Sequence, residues 1–269
     1  MSYEIFLTSF VPDDVVVRAR SILCGVAGTP ERHYYRHIQH YEPSDPTAKG
    51  LHTIKQLQRE RAPTTPQWQE LHQILVKQPS VVQLRADITD EVEAANDSAV
   101  EPKPAYIEVA AANRAALRWT DFPDPTNRQI DPSITQRRML EIADPRAERI
   151  LAENKFRLKC SLIEESYRWW LEGIEYCLTR NYLAPSATST EPAASRQIPN
   201  PATLTPVGTN WMLYVRAKVD NQPAATMPAR MKQGQLALLQ IKQRLRGVVD
   251  FLAFDRRCHD TRILEPRRA

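Results

Sequence analysis

Three short constellations in this chain have residue types that do chemistry. His33, His37 and His40 lie in HYYRHIQH. On a helix that spacing would bring imidazoles together as metal ligands; on a strand His33 and His37 share a face and His40 points the other way. Residues 31–42, ERHYYRHIQHYE, read as a strand, and no carboxylate follows in the His-Glu-x-x-His manner, so no metal site is assigned. Cys258-His259-Asp260 spells nucleophile, base and acid in a row. Sequence neighbours do not face one another in a helix or a strand, so the stretch reads instead as a turn with Asp–Arg pairing among Asp255, Arg256, Asp260 and Arg262. Asp121 and Asp124 in RWTDFPDP are candidates for acid/base work, but Asp beside Pro reads as a turn-former bonding nearby amides.

Glu164, Glu165, Glu172 and Glu175 punctuate the run RWWLEGIEYCLTRNYL and its approach. Facing into a barrel, such carboxylates would resemble a tunnel for polyphosphate, which needs ranks of inward Glu with matching Lys and Arg. The first strand would then have to read Glu-x-Glu-x-Lys. It reads Glu4-Ile5-Phe6-Leu7-Thr8, and an apolar Phe6 cannot bind a metal. The four carboxylates are therefore expected on a solvated outer face. With no catalytic, cofactor or metal residue to nominate, the chain reads as an interaction scaffold and not an enzyme.

The elements that carry these residues are legible from periodicity. YEIFLTSFV (3–11) is a strand; Pro12, Asp13 and Asp14 open a helix with Val16, Ala19, Leu23 and Val26 on one stripe, ended by Gly25 or Gly28. Thr65-Pro66 opens another, with Trp68, Leu71 and Leu75 on one face. SVVQLRADI (80–88) alternates as a half-buried strand, and AALRWTDF (115–122) and ITQRRMLEI (134–142) form two arms around a turn. DPRAERILAEN is a short helix or disordered. In 156–183 the apolar parity changes at Glu164-Glu165, which predicts a β-bulge there, then a turn at Gly173 and a second strand. A helix through Ile163, Tyr167, Trp170, Ile174 and Cys177 is the competing reading. WMLYVRAKV (211–219) is a strand, and Pro228 opens a helix whose stripe includes Met231, Leu238, Ile241 and Leu245. Residues 43–64, 89–104 and 184–206 read as loops or disordered insertions in a single domain spanning 1–269.

The sum is an α+β fold: a mostly antiparallel β-barrel of about eight or more strands with a few packed helices. Composition fits an intracellular soluble chain. Lys plus Arg is 36 against 32 Asp plus Glu, a formal charge of +4, too small an excess for nucleic-acid binding by charge alone. The four cysteines form no CxxC pair, and only 7 glycines are present, with no phosphate-cradling motif. No signal peptide and no apolar run long enough for a membrane span is seen.

The segments YEIFLTSFVPDD, WQELHQILVKQPSVVQLRADI, LRWTDFPDP, LAENKFRLKCSLIEESYRWWLEGIEYCLTRNYL, WMLYVRAKV and GVVDFLAFDRRCHDTRI, in that order, resemble the fungal form of the family of Mediator of RNA polymerase II transcription subunit 18. The resemblance covers nearly the whole length and departs from the family mainly in the Pro-rich loops. It implies a barrel similar in shape to the triphosphate tunnel enzymes but without their activity. It also implies a nuclear, non-catalytic subunit of the Mediator head module, linking regulators to the RNA polymerase II machinery. Expected partners are Mediator subunit 20 as a heterodimer, the C-terminal helix of subunit 8, and other head-module subunits, with no direct sequence-specific nucleic acid and no membrane. Trp119, Phe122, Trp169 and Trp170 are the candidate partner-interface residues; of the adjacent pair, one should be core and the other outside, beneath a helix or against a partner. A tunnel-type metal-dependent phosphohydrolase is the alternative. An apolar barrel lining would favour the scaffold, ranked carboxylates and basic residues the enzyme.

Overall fold

The computed structural model describes residues 1–97, 103–110, 115–124, 131–184, 195–221 and 223–263. Its strands are β1 (Ser2–Pro12), β2 (Arg32–Pro43), β3 (Val82–Asp87), β4 (Tyr106–Ala110), β5 (Ala115–Thr120), β6 (Thr135–Ile142), β7 (Phe156–Leu171), β8 (Ile174–Ala184), β9 (Ser195–Pro199) and β10 (Asn210–Asp220). All but β4 and β9 close into an eight-stranded antiparallel barrel in the order β1-β10-β8-β7-β2-β3-β5-β6, with β6 returning to β1. β4 and β9 form a separate antiparallel ribbon. The helices are α1 (Val16–Ala27), α2 (Ile54–Glu60), α3 (Thr65–Lys77), α4 (Thr89–Asp97), α5 (Ala147–Glu153) and α6 (Met227–Arg244). None of them is long and apolar enough to cross a membrane.

Strand alternation decides where the core lies. On β1, Ile5, Leu7 and Val11 face outward, while Glu4, Phe6 and Thr8 face the lumen. On β10, Leu213, Val215 and Val219 face outward and Tyr214, Arg216 and Lys218 inward. The outward residues of β1, β8 and β10, with Trp169 of β7, are sealed by Ala19 and Leu23 of α1 and by Met231, Leu238 and Ile241 of α6. A second apolar layer joins β3, β5 and β6 to α2, α3 and α5 through Leu57, Trp68, Leu71, Leu75 and Ile150. A third sets Val92 of α4 and the β4–β9 ribbon against Ile163 and Tyr182. The apolar core is thus a skin between barrel wall and helices.

The hairpin between β7 and β8 turns on Glu172 and Gly173, both at positive φ (49° and 80°), the geometry of a two-residue turn that matches strand twist. The two-strand reading of 156–183 therefore holds, but the bulge is elsewhere. β2 and β7 slip register between His40 and Tyr41, which oppose Cys160 and Leu158, so Lys159 is the extra residue. That bulge flips the outward parity, from Phe156 and Leu158 in the second apolar layer to Tyr167 and Trp169 in the first, and the lumenal Cys160 and Leu162 carry the apolar even pattern past it.

The segments expected as loops contain structure. Within 43–64, α2 forms because Leu57 is buried against α3 with Leu51. Within 89–104, α4 starts at Thr89, with Asp90 and Glu91 suiting its positive end and Val92 anchoring it at 0 % exposure. Within 184–206, β9 pairs with β4, and Ile198 and Asn200 are buried. Residues 98–102 and 185–194 lie outside the described residues.

Candidate functional site

Inward parity brings charge, not apolar surface, to the middle of the barrel. Glu4 of β1 accepts two hydrogen bonds at 2.9 Å from Arg118 of β5 and one at 2.9 Å from Arg137 of β6, with Arg216 of β10 at 3.4 Å. Glu164 of β7 is bound by Arg85 of β3 at 3.1 Å and by Arg168 at 3.0 Å. Glu175 of β8 accepts from Arg168 at 3.0 Å and Arg216 at 2.6 Å. Nearer the rim, Glu141 meets Lys218 at 3.0 Å. The lumen divides into two adjoining cavities of about 510 and 430 Å³ that share Glu4, Arg85, Arg118 and Arg216. Their linings together carry eight cationic and six anionic side chains, an excess of two positive charges.

The two ends differ. At one, Trp170 is 38 % exposed. Arg32 sits 5.5 Å from its ring, Tyr34 meets it edge-on, and Arg36 and Arg168 lie near the Tyr34 ring. The other end is closed by the chain's own C-terminal segment. Val81 donates to the Thr261 carbonyl at 2.7 Å, Ile263 to that of Pro79 at 2.9 Å, and Leu252 to that of Thr8 at 3.0 Å. His259 of this segment packs edge-on against Phe6, 5.4 Å between ring centres.

The charges are mutually stabilised. Burial opposes ionisation of Glu4, but Arg118, Arg137 and Arg216 overcome it and hold its carboxyl well below the usual range. For Glu164 burial is likewise outweighed, by Arg85, Arg168 and Arg36, and its pKa falls to about 2. Burial, with Arg118, Arg36 and Arg216 close by, pulls Arg85 down to about 10 despite Glu164. Burial and the charge of Arg137 push His259 down to about 4, leaving it neutral at pH 7. Chemically, the lumen is a net-cationic basket in which Glu4, Glu164 and Glu175 are each already bound by two or more arginines. Among the described residues no group of three or more His, Cys, Asp or Glu is placed to hold a metal ion.

The expectation of four solvated outer carboxylates is corrected: only Glu172, in the hairpin turn, is exposed. Glu164 and Glu175 face the lumen. Glu165 is on the outer face but buried, accepting from Tyr182 at 2.6 Å and Arg180 at 3.0 Å, with His33 at 3.1 Å. The histidines separate as a strand requires: His33 and His37 outward, His37 on Ser161 at 2.6 Å, and His40 inward beside Gln83. Cys258-His259-Asp260 is a turn. Asp260 pairs with Arg262 at 2.8 Å and Asp255 caps the Arg257 amide, while Arg256 goes to the Pro123 carbonyl and not to Asp255. Asp121 pairs with Arg138 and accepts the Phe122 amide, and Asp124 accepts from Gln136.

The aromatic interface candidates also scatter. Trp169 and Trp119 are 0 % and 3 % exposed, on the wall's outer face within the apolar layers that this chain's own helices seal. Phe122 lies under the guanidinium groups of Arg256 and Arg262. Trp170 is neither beneath a helix nor on the outer wall; it has lumenal parity at the open rim. Sequence reasoning missed the arginines. Arg36, Arg85, Arg118, Arg137, Arg168 and Arg216 each stand on the polar side of a strand alternation, which is the signal that would have found them once that side was assigned to a lumen.

Closure, antiparallel order, a helical coat outside and a polar lumen inside define a class: helix-wrapped antiparallel barrels with a charged interior. Within it, the chain belongs to the Med18 protein family, whose sequence profile matches residues 3–262. No curated protein sequence matches it. Among solved structures, a chain of the Schizosaccharomyces pombe Mediator head module is similar at TM-score 0.57 and 12% identity, over 93% of this chain and 97% of that one. Two others superpose less well. One is a Pyrococcus horikoshii OT3 protein, TM-score 0.41, 11% identical, covering 92% and 94%. The other is an adenylyl cyclase candidate from Hippeastrum with a dominant triphosphatase activity, TM-score 0.41, 11% identical, covering 96% and 94%.

Proposed function

We propose that the chain is a non-catalytic subunit of the Mediator coactivator complex. In the head module it would serve as a scaffold in the nucleus, connecting regulators to RNA polymerase II. Subunit 20 is its heterodimer partner and the C-terminal helix of subunit 8 its tether. The family match across residues 3–262 supports the assignment. The observation that carries the non-catalytic reading is the state of the lumenal carboxylates, each bound by arginine, with Phe6 and Thr8 as the next inward residues after Glu4 on β1. A metal ion would have to displace guanidinium groups to reach them. Of Trp119, Phe122, Trp169 and Trp170, the proposed partner contacts with accessible surface are Trp170, exposed at the rim, and Phe122, half-buried.

The lining is charged, which is the feature expected of a tunnel-type phosphohydrolase, and that reading is kept as the second. The two readings separate in two assays. Capture of the full chain by the C-terminal segment of subunit 8 is expected; failure to bind both it and subunit 20 overturns the scaffold reading. No phosphate release from triphosphate with magnesium or manganese is expected. Release that disappears in Glu4→Gln establishes the enzyme instead.

A further inference from the structure

The scaffold role leaves the lumen's excess positive charge without a purpose. Arg36 stands opposite Glu164 in the β2–β7 register and Asp87 in the β2–β3 register, yet Glu164 is occupied by Arg85 and Arg168 and Asp87 turns to Thr89. Arg36 itself has no carboxylate within ion-pair distance among the described residues. Its neighbour on the lumenal face, Arg85, is buried with its Nε hydrogen lacking any partner, and both line the larger cavity. Arg85 keeps Glu164 through its terminal Nη2 and has its Nε hydrogen unmet, so Arg36 and that Nε together present guanidinium donors to an anion.

We propose that the open end of the barrel binds a small phosphate-bearing anion on Arg36 and Arg85 without a metal ion. Three observations favour phosphate. The excess of two positive charges matches a dianion. Guanidinium forks match phosphate oxygens in pairs. The far end is blocked by the segment carrying Cys258 to Thr261, so the space of about 510 Å³ admits a compact ligand and not an acidic peptide threading through. Burial and the like charge of Arg168 already disfavour the charged form of Arg36, as a site awaiting an anion requires. Trp170 at the rim, beside Arg32, offers a stacking face if the ligand also carries a base.

The test is calorimetric titration of the full chain with pyrophosphate and, separately, with ATP, both in chelator, with tryptophan fluorescence followed in parallel. One site is expected, weakening as salt rises. Arg36→Gln should weaken it by roughly tenfold or more, the worth of a charged hydrogen bond, while leaving thermal stability unchanged or higher. Arg36→Lys, which keeps the charge but loses the fork, should fall between. Equal affinity for both probes identifies an inorganic anion as sufficient. Tighter ATP binding that Trp170→Ala brings down to the pyrophosphate level identifies a nucleotide. Absence of binding by both, affinity indifferent to Arg36→Gln, or binding of an Asp/Glu peptide in place of either phosphate overturns the inference. None of these outcomes touches the partner-capture assay, so the two proposals fail separately.

Discussion

Replacing Glu4 by Gln removes an anion that three guanidinium groups share, and the structure says which suffers most. Arg216 keeps Glu175 at 2.6 Å, and Arg118 keeps Glu141 at 4.0 Å. Arg137 has no second carboxylate among the described ion pairs and rests on the Phe6 ring, 4.9 Å from its centre. Breaking a buried ion pair by removing one partner costs about 3–5 kcal/mol. Gln keeps a carbonyl acceptor and two arginines keep partners, so the expected loss is about 3 kcal/mol. Urea unfolding of the full chain at pH 7 measures it. The sign with pH follows from the depressed carboxyl of Glu4: its contribution is complete above the ordinary value of 4.5 and is lost as pH falls through the depressed one. The gap between parent and variant should therefore narrow in acid. Adding Arg137→Met to Glu4→Gln should recover part of the loss, because it removes the orphaned charge. A gap below about 1 kcal/mol at pH 7, the level of an exposed pair, or one that does not narrow in acid, would refute this account of the lumen.

The other expectations are simpler. Burial opposes ionisation of Glu164 and Glu165, but their partners hold both at about 2, so the melting temperature should fall as pH drops from 4.5 towards 2; Glu165→Gln should flatten that fall, and an unchanged profile would refute it. Leu238→Ala and Leu245→Ala, both at 0 % exposure against the barrel wall, should each destabilise the isolated chain by about 2–5 kcal/mol. Unchanged stability with lost partner binding would make that stripe an interface. A Cβ at Gly234 would come 3.1 Å from Cδ1 of Ile5, so Gly234→Leu should push α6 off the wall and lose about 1–3 kcal/mol in thermal unfolding, with Gly234→Ala milder.

Alternation made the barrel legible, because each strand shows its two faces in its own residues. Val82, Leu84, Arg85 and Asp87 announced a two-faced strand, as did Leu213, Val215, Arg216 and Lys218. What alternation does not encode is which side of the wall each face meets. Polar residues on a strand suggest bulk solvent, and the same pattern serves a water-accessible lumen lined by paired charges. That ambiguity placed Glu164 and Glu175 on the wrong side and hid the arginines. The short helices were missed for a related reason. α2 and α4 are only 7 and 9 residues long with one buried apolar residue each, Leu57 and Val92, and tertiary burial holds them more than local propensity does. Trp119 and Trp169 fill the apolar layers between the barrel wall and this chain's own helices, and residue type alone does not distinguish such a Trp from one that meets a partner.

Barrel closure also sets an order of events in time. β1 pairs along its whole length with β10, Ser2 opposite Asp220 and Pro12 opposite Asn210. Its other neighbour, β6, covers only Ser2 to Phe6. Strands that must wait for a distant partner fold slowly, since loop closure precedes the contacts that reward it. On a ribosome the first strand emerges early, with Ile5 and Leu7 uncovered, and cannot be sealed until residue 220 and then α6 have left the exit tunnel. β1 is thus a segment whose apolar face stays open until β10 is made, and a chain truncated before β10 is predicted to aggregate through β1.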